Sequence, residues 1–349
     1  MPPMLPRERV FAALGFRPPD VVPLQIFAAP GGLHEHGQKL VDLIKACGHD
    51  FGGFSSLALP EPPRPEDFDP DGRYHAIRTD DWGTTWEYRI FGVWGHPCAR
   101  PLDDLANLAA WRPPQPPPAD GPELDAARAA AEAHRRRYPL VAGIPCGIFE
   151  KLFSLRRFED VLIDIALDSP GINAIADLIA EHDAGHVRRG LALQAEAFSV
   201  GDDFGTQTAP LVSPEAWRRF FRTRYHALFE PVVRSGARIL FHSCGQIWPL
   251  LPDLREIGVD AIWPQLPAFD LRRLAARCRE LHLAVQLHPD RGELMQRATP
   301  RAVREYVLRL VDTFDTAGGG SWLYIEIDPG FPWKSVEALF RTAMELRGS

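Results

Sequence analysis

The sequence of 349 residues predicts a (β/α)8 barrel with a β-hairpin arm inserted in its N-terminal part. Short apolar runs typical of strands alternate with longer stretches of helical periodicity. The strands are continuous apolar runs rather than alternating ones, as expected for a parallel sheet covered by helices on both faces. Eight such strands can be counted, which is the number that closes into this barrel.

Most of the predicted strands are separated by a predicted helix. The strands cover 20–27, 51–56, 139–144, 197–201, 237–242, 259–263, 283–287 and 321–326. Amphipathic helices are predicted at 7–14, 37–47, 123–137, 149–167, 170–193, 214–235, 247–257, 271–281, 300–316 and 333–347. The second strand is the weakest of the set, so an open doubly wound sheet is the alternative fold. No glycine-rich phosphate-binding turn follows any of the strands.

Two stretches fall outside this alternation. Residues 73–100 alternate in polarity and are rich in aromatic residues, which predicts a β-hairpin arm. The proline-rich connector 112–118 is incompatible with a helix or a central strand. Because the segments before this connector do not make a core of their own, we expect 1–349 to form a single barrel domain.

Composition and charge exclude several classes of protein. Hydrophobic residues make up 45% and charged residues 24%, enough apolar material for a large globular core. The net charge of −7, with acids and bases interspersed, argues against a nucleic-acid partner. No apolar run reaches the ~18 residues of a membrane span, and the N-terminus lacks a signal-peptide core. Five scattered cysteines do not form a disulfide framework, so we expect a cytoplasmic protein.

We place the chemistry at the C-terminal ends of the strands, where barrels of this class carry their active sites. His242 and Cys244 follow the strand at 237–242, and because they are two residues apart their side chains point the same way on an extended chain. An imidazole and a thiolate are ligands that zinc takes. Since two ligands do not make a site, a buried histidine beside a buried free cysteine is the alternative.

Polar residues follow the other strands at the same edge, whereas the opposite ends hold mostly glycine, alanine and loop residues. These candidates are Asp202, Asp203 and Gln207 after 197–201, Gln265 after 259–263, His288, Asp290 and Arg291 after 283–287, and Glu326 and Asp328 at the last strand. Each has a structural alternative. The aspartates could cap the segments that follow them, and 288–291 could form a loop network.

The sequence resembles the uroporphyrinogen decarboxylase superfamily over most of the chain. The resemblance is strongest in 201–214, which begins Gly201-Asp202-Asp203-Phe204-Gly205, and in 241–260, which begins Phe241-His242-Ser243-Cys244-Gly245. Residues 7–14 and the Val22-Pro23 pair are also similar. This superfamily holds decarboxylases of haem biosynthesis and cobalamin-dependent methyltransferases that act on coenzyme M or related acceptors. The resemblance implies a barrel and often a homodimer.

Within the superfamily, the methyltransferase branch is the more similar one. True uroporphyrinogen decarboxylases carry an arginine-rich loop after the first strand and an aspartate after the second. Here 28–34 holds no arginine, and Ser55-Ser56 stands in place of that aspartate. A substrate with many carboxylates would need such cations. The His-x-Cys pair, in contrast, is the one with which the methyltransferases bind zinc.

The resemblance to the methyltransferases also implies a late cysteine ligand, but no cysteine follows Cys278. Glu326 lies in the matching region and is expected to be the third ligand beside His242 and Cys244. Zinc would then lower the thiol pKa of a small acceptor, and a separate protein would carry the corrinoid. We predict catalytic roles for Asp202, Asp203, His288 and Asp290, and substrate-binding roles for Gln207, Gln265, Arg291 and Asp328.

Two other functions stay open from the sequence. A metal-independent decarboxylase of a carboxylated tetrapyrrole or another acid would use Asp202 or Asp203 to stabilise a protonated intermediate. A non-catalytic barrel would bind a corrinoid, or a partner protein through the aromatic arm.

Overall fold

The computed structural model describes residues 3–54 and 56–348. The strands in this part of the chain are β1 (Leu24–Phe27), β2 (Ala76–Thr79), β3 (Thr85–Tyr88), β4 (His96–Ala99), β5 (Val141–Gly143), β6 (Ala197–Gly201), β7 (Arg238–Ser243), β8 (Ala261–Pro264), β9 (Ala284–Leu287) and β10 (Ser321–Glu326). Seven of these described strands form one parallel sheet in the order β1-β10-β9-β8-β7-β6-β5. A parallel sheet with helical crossovers is what the sequence predicts.

The helices in the described residues are α1 (Pro6–Leu14), α2 (Pro30–His36), α3 (Gln38–Cys47), α4 (Gly121–Arg135), α5 (Ile148–Leu155), α6 (Phe158–Ala166), α7 (Pro170–Ala192), α8 (Pro214–Trp217), α9 (Thr223–Ser235), α10 (Leu251–Glu256), α11 (Leu271–Glu280), α12 (Glu293–Arg297), α13 (Pro300–Thr313) and α14 (Trp333–Leu346). Several begin at a side-chain cap, such as Ser169 before α7 and Thr299 before α13. Each cap is followed by proline in the first turn, where the missing N–H leaves no intrahelical bond unmade. None of the described helices is long and apolar enough to cross a lipid bilayer.

The parallel sheet is curled, and its two faces bury different residues. One interior cluster holds a residue from each of β6 to β10 and two from α1, namely Ala197, Leu240, Ala261, Ala284, Trp322, Val10 and Leu14. Helix α1 thus closes the N-terminal end of the strands. Residues of opposite parity, such as Ile239 and Ile325, pack outward against the helices. Because the strands are parallel and alternate in this way, the interior positions nearest their C-terminal ends meet in one place.

The predicted strand at 51–56 is not formed in residues 51–54 and 56; Ser55 lies outside the described residues. Instead, side chains from the segment that follows α3 form hydrogen bonds with the free edge of β1. The backbone N–H of Leu24 donates to Asp50 Oδ2 at 2.8 Å, and that of Ile26 to His49 Nδ1 at 3.4 Å. A closed barrel of eight strands is therefore not seen in the part of the chain described. The sheet is open between β1 and β5.

The arm predicted at 73–100 is a separate antiparallel sheet of β2, β3 and β4 rather than a simple hairpin. The connector 112–118 has neither helix nor strand, in line with its prolines. Trp82 and Trp111 pack on the main core, with ring centroids 6.0 Å apart. The arm is thus fixed against the body of the protein by aromatic contacts.

Candidate functional site

Asp203, His242 and Cys244 lie together beyond the C-terminal ends of β6 and β7. The atoms that could bind a metal all lie within 4.8 Å of one another. His242 Nε2 is 3.4 Å from Asp203 Oδ1 and 3.5 Å from Cys244 Sγ. Gly201 pairs with His242 in the sheet, so the chain that leaves β6 carries Asp203 directly to the imidazole. The structure thus groups two predicted metal ligands with an aspartate for which a catalytic role was predicted.

Hydrogen bonding leaves an unshared electron pair on His242 Nε2, the ring atom that lies beside Asp203 and Cys244. His242 Nδ1 lies 2.8 Å from the carbonyl oxygen of Trp263. Because a carbonyl only accepts, Nδ1 carries the proton and Nε2 is left with a lone pair. Burial lowers the pKa of His242, which keeps the ring neutral. A ligating histidine commonly donates its other N–H to a backbone carbonyl in this way.

Cys244 and Asp203 complete the arrangement. Burial raises the pKa of the Cys244 thiol to about 12, so it stays protonated unless a cation replaces the proton. Asp203 Oδ1 accepts a hydrogen bond of 2.7 Å from the Cys244 backbone N–H, which fixes the carboxylate beside the ring. Nitrogen, sulfur and carboxylate oxygen are the three donor types of protein zinc sites, and three protein ligands leave one position open.

Glu326 lies outside this cluster. It ends β10, which is three strands from β7 in the sheet, and its Oε2 accepts a hydrogen bond of 3.2 Å from the Tyr324 hydroxyl. Tyr324 packs on Trp263 with centroids 4.4 Å apart, and Trp263 packs on His242 at 4.0 Å. Glu326 is therefore linked to the His242 ring through two aromatic side chains. Its role as a metal ligand stays a prediction, and Asp203 is the carboxylate beside His242 and Cys244.

Trp263, His288 and Tyr324 form an aromatic wall next to His242. The Trp263 indole N–H donates to His288 Nδ1 at 3.2 Å, and the His288 and Tyr324 rings lie 4.9 Å apart. Burial lowers the pKa of His288 well below its usual value, so the ring is neutral and its Nε2 carries the proton. The sequence reasoning included His288 but missed both other residues. Trp263 and Tyr324 each lie two residues after an interior residue of the same strand, Ala261 and Trp322. This spacing places their side chains on the interior face and could have identified them.

Asp202 is fully buried and acts as a helix cap. Its carboxylate accepts hydrogen bonds from the backbone N–H groups of Phe149 and Glu150, both at 2.9 Å, and from the Tyr225 hydroxyl at 2.5 Å. Burial raises the pKa of the Asp202 carboxyl to about 7. Asp202 thus caps α5, which precedes it in the chain, rather than the segment that follows it as the capping alternative supposed, and it is a positioning residue for the start of α5.

The predicted glutamines stabilise the turn that follows β7. Gln265 Oε1 accepts from the Gly245 N–H at 2.9 Å and from the Gln207 side-chain amide at 3.3 Å. Gly245 lies at φ +75°, and a Cβ there would lie 2.2 Å from the Gly205 carbonyl, so the turn that carries Cys244 requires glycine. Both glutamines therefore help to position the cysteine.

The last predicted group combines a cap with an ion pair. Asp290 accepts from the N–H groups of Gly292 at 2.8 Å and Leu294 at 3.2 Å at the start of α12. Arg291 forms an ion pair with Asp328. The nearby Arg291 guanidinium opposes the effect of burial, which raises the pKa of Glu326. Arg291 is thus a cation at the same edge of the sheet as the metal-ligand cluster.

A cleft of about 610 Å³ opens beside the cluster, between the body of the protein and the arm. Its lining includes Glu150 and Asp203 from the body and Trp86 and Trp94 from the arm. Burial, with Asp202 and Asp203 nearby, raises the pKa of the Glu150 carboxyl to about 9. The sequence reasoning missed Glu150 because it lies in the first turn of α5 and not directly after a strand. The loop after β5 opens at the same edge as the other candidates, which was the signal available.

Comparison with known proteins identifies a family and shows a structural likeness that extends over nearly the whole chain. The uroporphyrinogen decarboxylase (URO-D) family model matches residues 96–346. A methyltransferase from Methanosarcina mazei is similar in structure, with a TM-score of 0.62 and 14% identity over 98% of this chain and 99% of that one. At this identity the likeness shows a shared fold.

Two dihydropteroate synthases match only part of the chain. A dihydropteroate synthase from Anaplasma phagocytophilum has 16% identity and a TM-score of 0.37, over 52% of this chain and 70% of that one. Another from Xanthomonas albilineans has 13% identity and a TM-score of 0.33, over 46% and 58%. No curated protein matches the sequence.

Proposed function

The chain belongs to the uroporphyrinogen decarboxylase family, and we propose that it is a zinc-dependent methyltransferase. It would move a methyl group between a corrinoid, carried by a separate protein, and a small thiol-like acceptor. The observation that carries the proposal is the Asp203–His242–Cys244 cluster, with its ligand atoms within 4.8 Å of one another. The full-length likeness to a methyltransferase from Methanosarcina mazei supports it at the level of fold.

The donor set fits zinc. A neutral imidazole, a cysteine sulfur and a carboxylate would hold the ion and leave a fourth position for the acceptor. When bound, zinc would supply Lewis acidity that lowers the pKa of an acceptor thiol. Because burial holds Cys244 as a thiol, ion binding should release its proton. Asp203 is the carboxylate that the geometry favours, and Glu326 is the alternative taken from the sequence.

The surrounding residues would orient the acceptor and exclude water. Trp263 packs on His242 and Tyr324 packs behind Trp263, and these apolar rings strengthen electrostatic interactions in the site. The proton on His288 Nε2 is available for a hydrogen bond to substrate. Arg291, flanked by Asp328, is a cation suited to an anionic group of the acceptor. Catalytic roles for Asp203 and His288 stay predictions, as do substrate contacts by Gln207, Gln265, Arg291 and Asp328.

Metal analysis and a methyl-transfer assay test the proposal together. The purified protein should lose one zinc equivalent per chain on His242→Ala or Cys244→Ala. It should keep that equivalent on Cys278→Ala, since Cys278 is buried on α11 and is not part of the Asp203–His242–Cys244 cluster. The zinc-loaded protein should demethylate methylcobalamin in the presence of a small thiol, and both cluster variants should lose that activity. Unchanged zinc content in both variants, or no methyl transfer by loaded protein, contradicts the proposal.

A metal-independent decarboxylase is the second candidate, and one observation favours it. Glu150 lines the cleft beside Asp203, and with its pKa near 9 it stays protonated at neutral pH. A carboxylic acid there could protonate the carbanion left by loss of CO2. Product formation from uroporphyrinogen without metal, abolished by Glu150→Gln, would select this function. Tight corrinoid binding without turnover in either assay would favour the non-catalytic barrel.

A further inference from the structure

A second group of potential metal ligands is distinct from Asp203, His242 and Cys244, although its cysteine, Cys146, also lines the cleft beside them. Cys146, His182 and Asp183 are buried, and their ligand atoms all lie within 4.8 Å of one another. Cys146 belongs to the turn between β5 and α5, and the other two residues are on α7. Within residues 3–54 and 56–348, this group and Asp203–His242–Cys244 are the sets of His, Cys and carboxylate side chains that approach so closely.

The polar atoms of this group are unsatisfied. Asp183 is 0% exposed, and the polar groups near its carboxylate are His182 and the thiol and backbone N–H of Cys146, none of which meets it in full hydrogen-bonding geometry among the described residues. His182 Nδ1, 3.6 Å from Asp183 Oδ1, also has no hydrogen bond within the described part of the chain. Buried polar groups are nearly always paired, and an unpaired carboxylate is among the most unfavourable groups to bury. One cation would satisfy the carboxylate, the imidazole and the thiolate together.

The surroundings enclose the group. The Trp82 indole packs edge-on against His182 with centroids 4.8 Å apart, and Lys151 Nζ lies over the Trp82 ring, 4.7 Å from its centroid. His186 follows His182 by four residues on α7, so both rings share one face, with centroids 4.9 Å apart. An enclosed set of three ligands with a fourth donor one turn away is typical of a structural zinc site rather than a catalytic one.

We propose that Cys146, His182 and Asp183 bind a structural zinc ion, with His186, whose ring lies beside that of His182 but outside the 4.8 Å group, turning toward the ion as the fourth ligand. The mixture of sulfur, nitrogen and one carboxylate suits zinc and disfavours magnesium or calcium, which take oxygen ligands. The ion joins α7 to the turn before α5. That turn leads to the backbone N–H groups of Phe149 and Glu150, which donate hydrogen bonds to Asp202. By fixing the turn, the ion would also help to hold Asp202 next to the candidate active site.

Zinc stoichiometry in a variant that lacks the first cluster tests this proposal. His242→Ala/Cys244→Ala leaves the second group untouched. After dialysis against zinc, elemental analysis should give two ions per chain for the unmodified protein and one for this double variant. Adding Cys146→Ser or Asp183→Asn to the double variant should reduce the count to none, whereas adding Cys278→Ser should leave it at one.

Cobalt(II) supplies a spectroscopic readout that is independent of activity. In the double variant, cobalt should give a thiolate-to-metal charge-transfer absorption that Cys146→Ser removes and Cys278→Ser keeps. Removal of the ion by a chelator should also lower the Tm of the double variant. A folded double variant, checked by circular dichroism, that binds no zinc and gives no cobalt–thiolate absorption overturns the proposal. This outcome is distinct from failure of the methyltransferase proposal, which concerns only the ion lost on His242→Ala.

Discussion

Removing the Tyr225 hydroxyl should destabilise the protein by about 3 kcal/mol. The buried hydroxyl donates to Asp202 Oδ2 at 2.5 Å and accepts from the Ile148 N–H at 3.1 Å. Tyr225→Phe removes a hydrogen bond to a carboxylate, worth roughly 1.5–3 kcal/mol, and leaves a buried N–H unpaired, at a cost of roughly 1–3 kcal/mol. The lower ends of the two ranges sum to about 2.5 kcal/mol, so a loss of about 3 kcal/mol lies toward the low end of the combined range. Asp202 keeps its two backbone donors, so the fold itself should persist.

Urea denaturation followed by circular dichroism measures this change. With a slope of roughly 3 kcal/mol per molar urea, the midpoint should fall by about 1 M. Tyr306→Phe is the matched control, because the Tyr306 hydroxyl has no hydrogen bond to any residue in the described ranges. It should change the free energy of unfolding by less than about 0.5 kcal/mol. A loss under about 1 kcal/mol for Tyr225→Phe would refute the role assigned to the Tyr225–Asp202 pair.

Two further predictions concern the edge of β1 and the turn that carries Cys244. Burial lowers the pKa of His49 from 6.5 to about 4, so between these values the unfolded chain binds a proton that the folded chain does not. The stability supplied by neutral His49 is therefore full above pH 6.5 and falls by up to about 3 kcal/mol as the pH drops to 4. Urea denaturation between pH 6.5 and 4 should show that the free energy of unfolding falls less steeply with pH in His49→Gln than in the unmodified protein. Equal slopes in the two proteins would contradict the role assigned to neutral His49. Gly245→Ala should weaken zinc binding roughly 10–100-fold, since its Cβ would lie 2.2 Å from Gly205. Competition with a chelator measures the zinc affinity. The control is Gly330→Ala, at φ +88° with open space around the residue, which should leave the zinc affinity unchanged. An unchanged zinc affinity in Gly245→Ala would show that the turn tolerates a side chain.

The parallel sheet was predictable because its strands are apolar on both faces, and this pattern is local. The missing strand at 51–56 shows where the pattern fails. Phe51 and Phe54 give the segment an apolar character, yet the edge of β1 is bonded by the side chains of His49 and Asp50. A choice between backbone and side-chain partners depends on the register of two distant segments. Asp50 is held by ion pairs to Arg9 at 2.5 Å and Arg347 at 2.7 Å, contacts that no local pattern reveals.

The candidate site was partly predictable for the same reason. His242 and Cys244 share a side of one strand, so their approach follows from spacing alone. The carboxylate beside them depends on which strands are neighbours. β6 adjoins β7, which brings Asp203 to the ring, while β10 is three strands away with Glu326. Asp202 is a buried helix cap, whereas Asp203 is partly exposed. This difference depends on the contact of Asp202 with α5, which the sequence did not reveal.

The metal cluster itself is tested most directly by anomalous diffraction from a crystal of the zinc-loaded protein. We predict a zinc peak about 2.3 Å from Cys244 Sγ, about 2.0 Å from His242 Nε2 and about 2.1 Å from an Asp203 carboxylate oxygen. A zinc ion that bound Glu326 in place of Asp203 would support the ligand set expected from the sequence instead. Full zinc loading with no anomalous peak at His242 and Cys244 would contradict the metal site on which the proposed methyl transfer depends.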